Sequence, residues 1–386
     1  MNTKETSICK KKKIVFLTGT RADYGKLKSL IRILNNNDNF EVHIFATGMH
    51  MLARYGSTYK EIIKDGFPNI YTFVNQNSST GMDIALSNTI TGFSNYINEL
   101  SPDAIVVHGD RLEALAGAIV GAFHNIRVFH IEGGEVSGTI DESIRHAISK
   151  FSHFHFVANE DAKKRIMQLG EPAEHIFIFG SPDIDIMNSK ALPSLEEVKK
   201  YYELPFESYN IVLYHPVTTE VDKTTEKAKC LVHTLLESKE NYVIIYPNND
   251  AGSDQILSVY DELKMLPQFR IIPSMRFEYF LTLLRYTDCI IGNSSSGIRE
   301  ACIYGIPTID LGSRQTGRYN RKRNPHITHM EEEDFTVDSL QIARENKIEP
   351  SSSFGNGDSD RIFEKILTDD YIWTTTIQKN FIDIDL

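Results

Sequence analysis

Short runs of β-branched and other apolar residues recur along the chain, each ending in glycine or polar residues and each followed by helix-like spacing of apolar positions. This alternation predicts parallel βα units, because strands covered on both faces of a sheet read as continuous apolar runs. In the first half the runs fall at 14–18, 42–46, 104–107, 128–131, 154–157 and 176–179, which predicts a six-stranded parallel sheet. A polar, proline-bearing stretch, SPDIDIMNSKALPSL, then breaks the pattern and marks a boundary. Beyond it the runs resume at 211–214, 242–246, 269–272, 289–291 and 308–311. No short-period repeat relates the halves, so their likeness is architectural.

The reading is α/β with two Rossmann-like parallel-sheet domains facing a central cleft, over 1–185 and 186–365. A length of 386 residues with 41% apolar positions supports two cores. The segment SSSFGNGDSD at 351–360 reads as a loop, and 366–386, with Trp373 and other aromatics, as a tail that packs back on the body.

A net charge of −11 argues against nucleic acid or an anionic membrane surface as partner. The Lys10 to Lys13 run reads as a solvated lead-in to the first strand. With no apolar run of membrane-spanning length and no leader-like start, the expected location is the cytoplasm. Cys9, Cys230, Cys289 and Cys302 lack CxxC pairing, which argues against a zinc site and against disulfides.

Open parallel sheets hold ligands outside the carboxyl ends of their strands, so the residues following each run are the informative ones. In the first half these are GTRADYG, HGDR and EGGE; in the second, HPVTT, PNND and GNSSSG. GNSSSG followed by IRE is a small, hydroxyl-rich turn whose N–H groups and helix start can hold a phosphate through Ser294 and Ser295, although a plain helix cap has the same composition. Arg21, in the first such loop, can pair with the same diphosphate bidentately. Neither loop matches GxGxxG or the P-loop pattern, so no dinucleotide or ATP is implied.

Asp110, Glu132 and Asp141, with its neighbour Glu142, stand at or just beyond strand ends of one domain. Crowded carboxylates are expected to raise one another's pKa towards neutrality, which suits acid/base work; the alternative is that Asp110 pairs with Arg111 or Arg145 and Glu132 caps a helix. His215, between a strand and Pro216, is placed to donate to a phosphate leaving group or shuttle a proton, or is a core histidine. His108, His130, His146, His153 and His155 read as core residues, since none has metal-ligand spacing; His50, in TGMH, is open.

Taken together and in order, GTRADYGKL, HGDRLEAL, HIEGGEVSGTIDESIRHAISK, HPVTTE, YPNND, RFEYF, GNSSSGIRE and LGSRQTGR resemble the hydrolysing UDP-N-acetylglucosamine 2-epimerases of sialic acid biosynthesis, from the first strand to near the chain end. The resemblance implies a GT-B arrangement and a reaction in which the C2 proton is removed, UDP leaves by anti elimination to give 2-acetamidoglucal, and water adds to release N-acetylmannosamine. It implies no metal and no redox cofactor, and a homodimer or homotetramer. By the same resemblance Asp110, Glu132 and Asp141 match the catalytic carboxylates and His215 the histidine near the diphosphate. Arg21, Asn248, Ser294, Ser295 and Glu300 match positions that hold UDP, Glu300 at the ribose hydroxyls; Arg111 and His50 match sugar-facing positions. HIEGGEVSGTIDES sets the chain with the hydrolysing branch, which includes enzymes acting on UDP- or GDP-N,N'-diacetylbacillosamine in the legionaminic acid pathway. A GT-B glycosyltransferase and a non-catalytic nucleotide-sugar sensor are the rival readings; the first gives no reason for so many acids around one sugar carbon, and a binder gains little from clustered carboxylates facing an anionic ligand.

Overall fold

In the computed structural model, which describes residues 10–137, 140–189, 192–319, 324–345, 349–350 and 354–383, the apolar runs form two open sheets. The first holds β1 (Lys12–Thr18), β2 (Phe40–Ala46), β3 (Ile70–Thr72), β4 (Ala104–His108), β5 (Arg127–Ile131), β6 (Phe154–Val157) and β7 (Ile176–Ile178), in the order β3-β2-β1-β4-β5-β6-β7. The second holds β8 (Asn210–Leu213), β9 (Tyr242–Ile245), β10 (Phe269–Ile272), β11 (Ile290–Gly292), β12 (Thr308–Leu311) and β13 (Ile327–Met330), in the order β10-β9-β8-β11-β12-β13. Neighbouring strands in both sheets pair in parallel, as strand–helix–strand connections require.

The expected six and five strands thus become seven and six. The additions, β3 and β13, are edge strands that carry little apolar signal: Tyr71 and Thr72 are exposed, and Thr328 to Met330 only half-buried. Apolar side chains pack both faces of each sheet, with Phe16, Leu27, Phe129 and Phe156 on one face of the first and Val15, Phe45, Phe93 and Val107 on the other.

The chain returns to the first lobe through the helix Ser359–Thr368, earlier than the expected 366. Phe363 and Leu367, one helical turn apart, are fully buried in the first core, with Phe363 edge-on to Phe16 and Phe156. Arg127 donates to the carbonyls of Ile372, Trp373 and Thr375, and Lys379 Nζ lies 2.7 Å from buried Glu171. Of the expected 351–360 loop, 351–353 lie outside the described residues, and Ser359 and Asp360 are helical.

In each sheet the strand order reverses direction, between β1 and β4 and between β8 and β11. These switch points open crevices at the carboxyl edges. The two crevices face one another across a single cavity.

Candidate active site

The cavity, of about 320 Å³, is lined from the first lobe by Thr20, Arg21, Asp110, Arg111, Glu132 and Asp141 and from the second by His215, Asn248, Ser294, Ser295, Glu300 and Arg314, among others. Ten of the eleven residues singled out from sequence therefore meet in one space, and His50 does not. The segment Gly48–Met51 turns as a tight 3₁₀ helix that points Met49 at the cavity and buries His50 behind it, between the hydroxyls of Thr18 (3.1 Å) and Thr58 (2.6 Å). Burial, aided by Arg21, lowers the His50 pKa to about 3, so it is a neutral histidine buried behind the cavity wall.

The first loop is rigidly built. Thr20 and Asp23 form a reciprocal cap on the helix Arg21–Asn35, and Asp23 Oδ2 also accepts the N–H of Gly19 at 2.7 Å. Arg21, expected at the diphosphate, reaches Glu61 at 2.7 Å, where Arg276 Nε joins it at 3.0 Å. Lys26, not singled out from sequence, projects from the same helix into the cavity.

Asp110 follows Gly109, whose φ of 72° gives the turn a left-handed residue. It pairs with Arg145, which is 1% exposed and also donates to the Glu135 carbonyl at 3.1 Å. This is the pairing weighed against an acid/base role. Burial would raise the Asp110 pKa, but Arg145, Arg318 and Arg314 outweigh it and hold the carboxyl below its usual range. Asp141, in the first turn of the helix Ile140–Phe151, lies 3.5 Å from Arg314 Nη2.

Glu132 sits at φ 64°, a strained conformation for a side-chain-bearing residue, worth on the order of 1–3 kcal/mol. It caps no helix. Its Oε1 accepts Ser181 Oγ–H and Arg299 Nη2 at 2.8 Å each, and its Oε2 lies 3.4 Å from His108 Nε2. Burial opposes ionisation here too, but Arg299, Lys26 and His108 drive the pKa well below normal. The expected rise of carboxylate pKa by mutual crowding is thus reversed for Asp110 and Glu132, because cations from both lobes outweigh the neighbouring acids. His108, read as a core residue, lines the cavity, and His146 is a surface residue 3.2 Å from Glu142; His130, His153 and His155 are buried as expected.

In the second lobe His215 and Asn293 clamp each other: Asn293 Oδ1 accepts the His215 N–H at 2.7 Å, and its amide donates to the His215 carbonyl at 2.8 Å. Burial, then Arg314 and Arg111, keep the His215 pKa well below normal. Ser294 caps the turn Ser295–Gly297, its Oγ accepting the Ser296 N–H at 3.3 Å. Gly292, at φ 133°, lies so close to Leu213 that a Cβ would fall 2.0 Å from its carbonyl oxygen. Arg314 donates to the Asn293 carbonyl at 3.1 Å, beside Ser294. Arg111 reaches Asn249 at 3.0 Å, and Glu300 Oε1 forms an ion pair with Lys26 Nζ at 3.0 Å while its buried Oε2 has no hydrogen-bond partner among the described residues.

The missed residues are mainly cations: Lys26, Arg299, Arg314 and Arg318. Arg314 and Arg318 stand in LGSRQTGR, directly after β12, and Arg299 immediately precedes Glu300, so the strand-end rule that found the acids also reaches them.

Two Rossmann-like lobes joined at their carboxyl edges around an arginine-lined cavity that also gathers carboxylates define a GT-B type protein built for a multiply anionic ligand. The family model for UDP-N-acetylglucosamine 2-epimerase matches residues 32–368, and the chain belongs to that family. It is 47% identical to the UDP-N-acetylglucosamine 2-epimerase of Neisseria meningitidis serogroup B, over 97% of this chain and 100% of that one. It is 35% identical to the UDP-N,N'-diacetylbacillosamine 2-epimerase (hydrolyzing) of Legionella pneumophila, over 92% and 96%. In structure it is similar to the Methanocaldococcus jannaschii UDP-GlcNAc 2-epimerase in complex with UDP-GlcNAc and UDP, with a TM-score of 0.77 at 24% identity over 92% of this chain and 99% of that chain, which shows the shared fold.

Proposed function

We propose that the chain is a hydrolysing 2-epimerase that converts UDP-N-acetylglucosamine and water to N-acetylmannosamine and UDP, in sialic acid biosynthesis. The observation that carries this reading is the convergence of Asp110, Glu132 and Asp141 from one lobe with His215, Ser294 and Ser295 from the other on one cavity. Similarity to the Neisseria enzyme along nearly the whole chain supports the substrate.

The anti elimination breaks the C1–O bond to UDP, takes the C2 proton to a carboxylate and leaves the C1=C2 bond of 2-acetamidoglucal. Charge growing on the departing diphosphate meets Arg314, the Ser294 and Ser295 hydroxyls and the N–H groups of their turn. His215 presents Nε2–H there as well. Loss of the leaving group first builds positive charge on the sugar ring, which acidifies the C2 proton, so a carboxylate of low pKa suffices as base. This accommodates the depressed pKa values of Asp110 and Glu132. Water then adds its hydroxyl to C1 and a proton to the other face of C2, inverting that carbon.

The Legionella relative supports a second reading, the same reaction on the diacetylbacillosamine nucleotide. Proton NMR of both nucleotides side by side separates them: release of N-acetylmannosamine, with the second nucleotide turned over much more slowly, is expected, and the reverse order transfers the assignment. The unpaired thiols of Cys230, Cys289 and Cys302 support a cytoplasmic setting, and a homodimer or homotetramer carries over from the resemblance.

A further inference from the structure

At the floor of the cavity a buried ion network crosses from one lobe to the other. Lys26 Nζ stands 3.0 Å from Glu300, 3.4 Å from Asp183 and 3.8 Å from Glu132. Arg299, 2% exposed, bonds Glu132 Oε1 at 2.8 Å and Ser181 Oγ at 2.5 Å, with its guanidinium 5.2 Å from the Phe354 ring centre. Three carboxylates therefore share two cations, all with buried side chains at the cavity wall. Glu132 Oε1 is fully engaged by Ser181, Arg299 and Lys26, which leaves Oε2, beside His108, as the oxygen available for chemistry.

We propose that Arg299 is a positioning residue for Glu132: the second lobe, through this guanidinium, keeps the first lobe's carboxylate ionised and turned so that Oε2 meets the sugar. The inference rests on the epimerase reading. It makes Glu132 competent only while the lobes are joined, because its main counterion comes from the opposite one. The other charged groups around it are Lys26 from the helix Arg21–Asn35, His108 at the end of β4, and Asp183, Glu300 and Glu135, which draw on the same cations. Removing Arg299 leaves Lys26 facing three carboxylates, and Glu132 then takes up a proton at higher pH.

The test is the pH dependence of kcat and of KM for wild type, Arg299→Met, Arg299→Lys and Ser181→Ala, with thermal unfolding as the check on folding. In Arg299→Met the acid limb of kcat is expected to rise by about one pH unit or more, with KM changed less than about threefold. Arg299→Lys, which restores the charge, brings the limb back towards wild type. Ser181→Ala, a small change that keeps both ions, raises it by less and decides the matter if Arg299→Met does not fold. Active wild type with unmoved limbs in these variants, or Arg299→Lys no better than Arg299→Met, overturns the role of Arg299 and leaves the reaction standing. A wild type that leaves the sugar nucleotide intact overturns both.

Discussion

The imidazole of His215 accepts the backbone N–H of Asn248 at Nδ1, over 3.1 Å, and this fixes its proton on Nε2. Its pKa is held well below the ordinary value by burial and by Arg314 and Arg111, so the ring is a neutral hydrogen-bond donor through the working pH range. Replacing it with alanine is expected to lower kcat by roughly 10²–10³-fold, the scale of losing one donor to developing charge. The pH–rate profile should keep its shape between about pH 5 and 9, because no titration of this group is lost. A limb near neutrality that vanishes in His215→Ala would show that the histidine titrates during turnover.

Asp110 and Arg145 form a second testable unit. Asp110→Asn removes the charge, keeps the size and leaves Arg145, 1% exposed, without its main counterion. A fall in kcat of about 10²–10⁴-fold with KM nearly unchanged is expected, together with a stability loss on the order of 1–3 kcal/mol. Steady-state kinetics and denaturant melts check the two effects separately. A variant that loses only substrate affinity would place Asp110 in binding.

Acid sensitivity follows from the buried histidines. His50 and His130 have pKa values lowered to about 3, and His153 and His326 to about 4, in each case first by burial. The unfolded chain, with histidines near their ordinary 6.5, binds protons that the folded chain refuses. Their contribution to stability is therefore complete above about pH 6.5 and is lost as the pH falls towards the folded values, at up to about 1.4 kcal/mol per unit and per histidine. Tm measured from pH 7.5 to 4 should drop below about 6.5, and His50→Gln should flatten part of that drop. It should leave KM for the sugar nucleotide within about threefold, since His50 lies behind the cavity wall.

The sequence made both sheets and the main site legible for one physical reason: a parallel strand buried on both faces leaves an apolar run, and the polar residues that end it mark the crevice. β3 and β13 escaped because edge strands are half-exposed and short. The burial of His50 was not legible because a strand-end position says nothing of which way a 3₁₀ turn aims its side chain; here the turn points Met49 at the cavity. The pKa directions of Asp110 and Glu132 were legible only in three dimensions, since Arg314 and Arg318 act on Asp110, and Arg299 on Glu132, from the other lobe, far away in the sequence. The electrostatics of the site belong to neither half alone.

On the proposed mechanism the carboxylates of the first lobe take the C2 proton and water supplies its replacement. Turnover of UDP-N-acetylglucosamine in deuterated water, followed by NMR of the released sugar, measures this directly. The expected product is N-acetylmannosamine carrying deuterium at C2 in essentially every molecule. Released sugar that retains its original hydrogen at C2, or that keeps the gluco configuration, would contradict it.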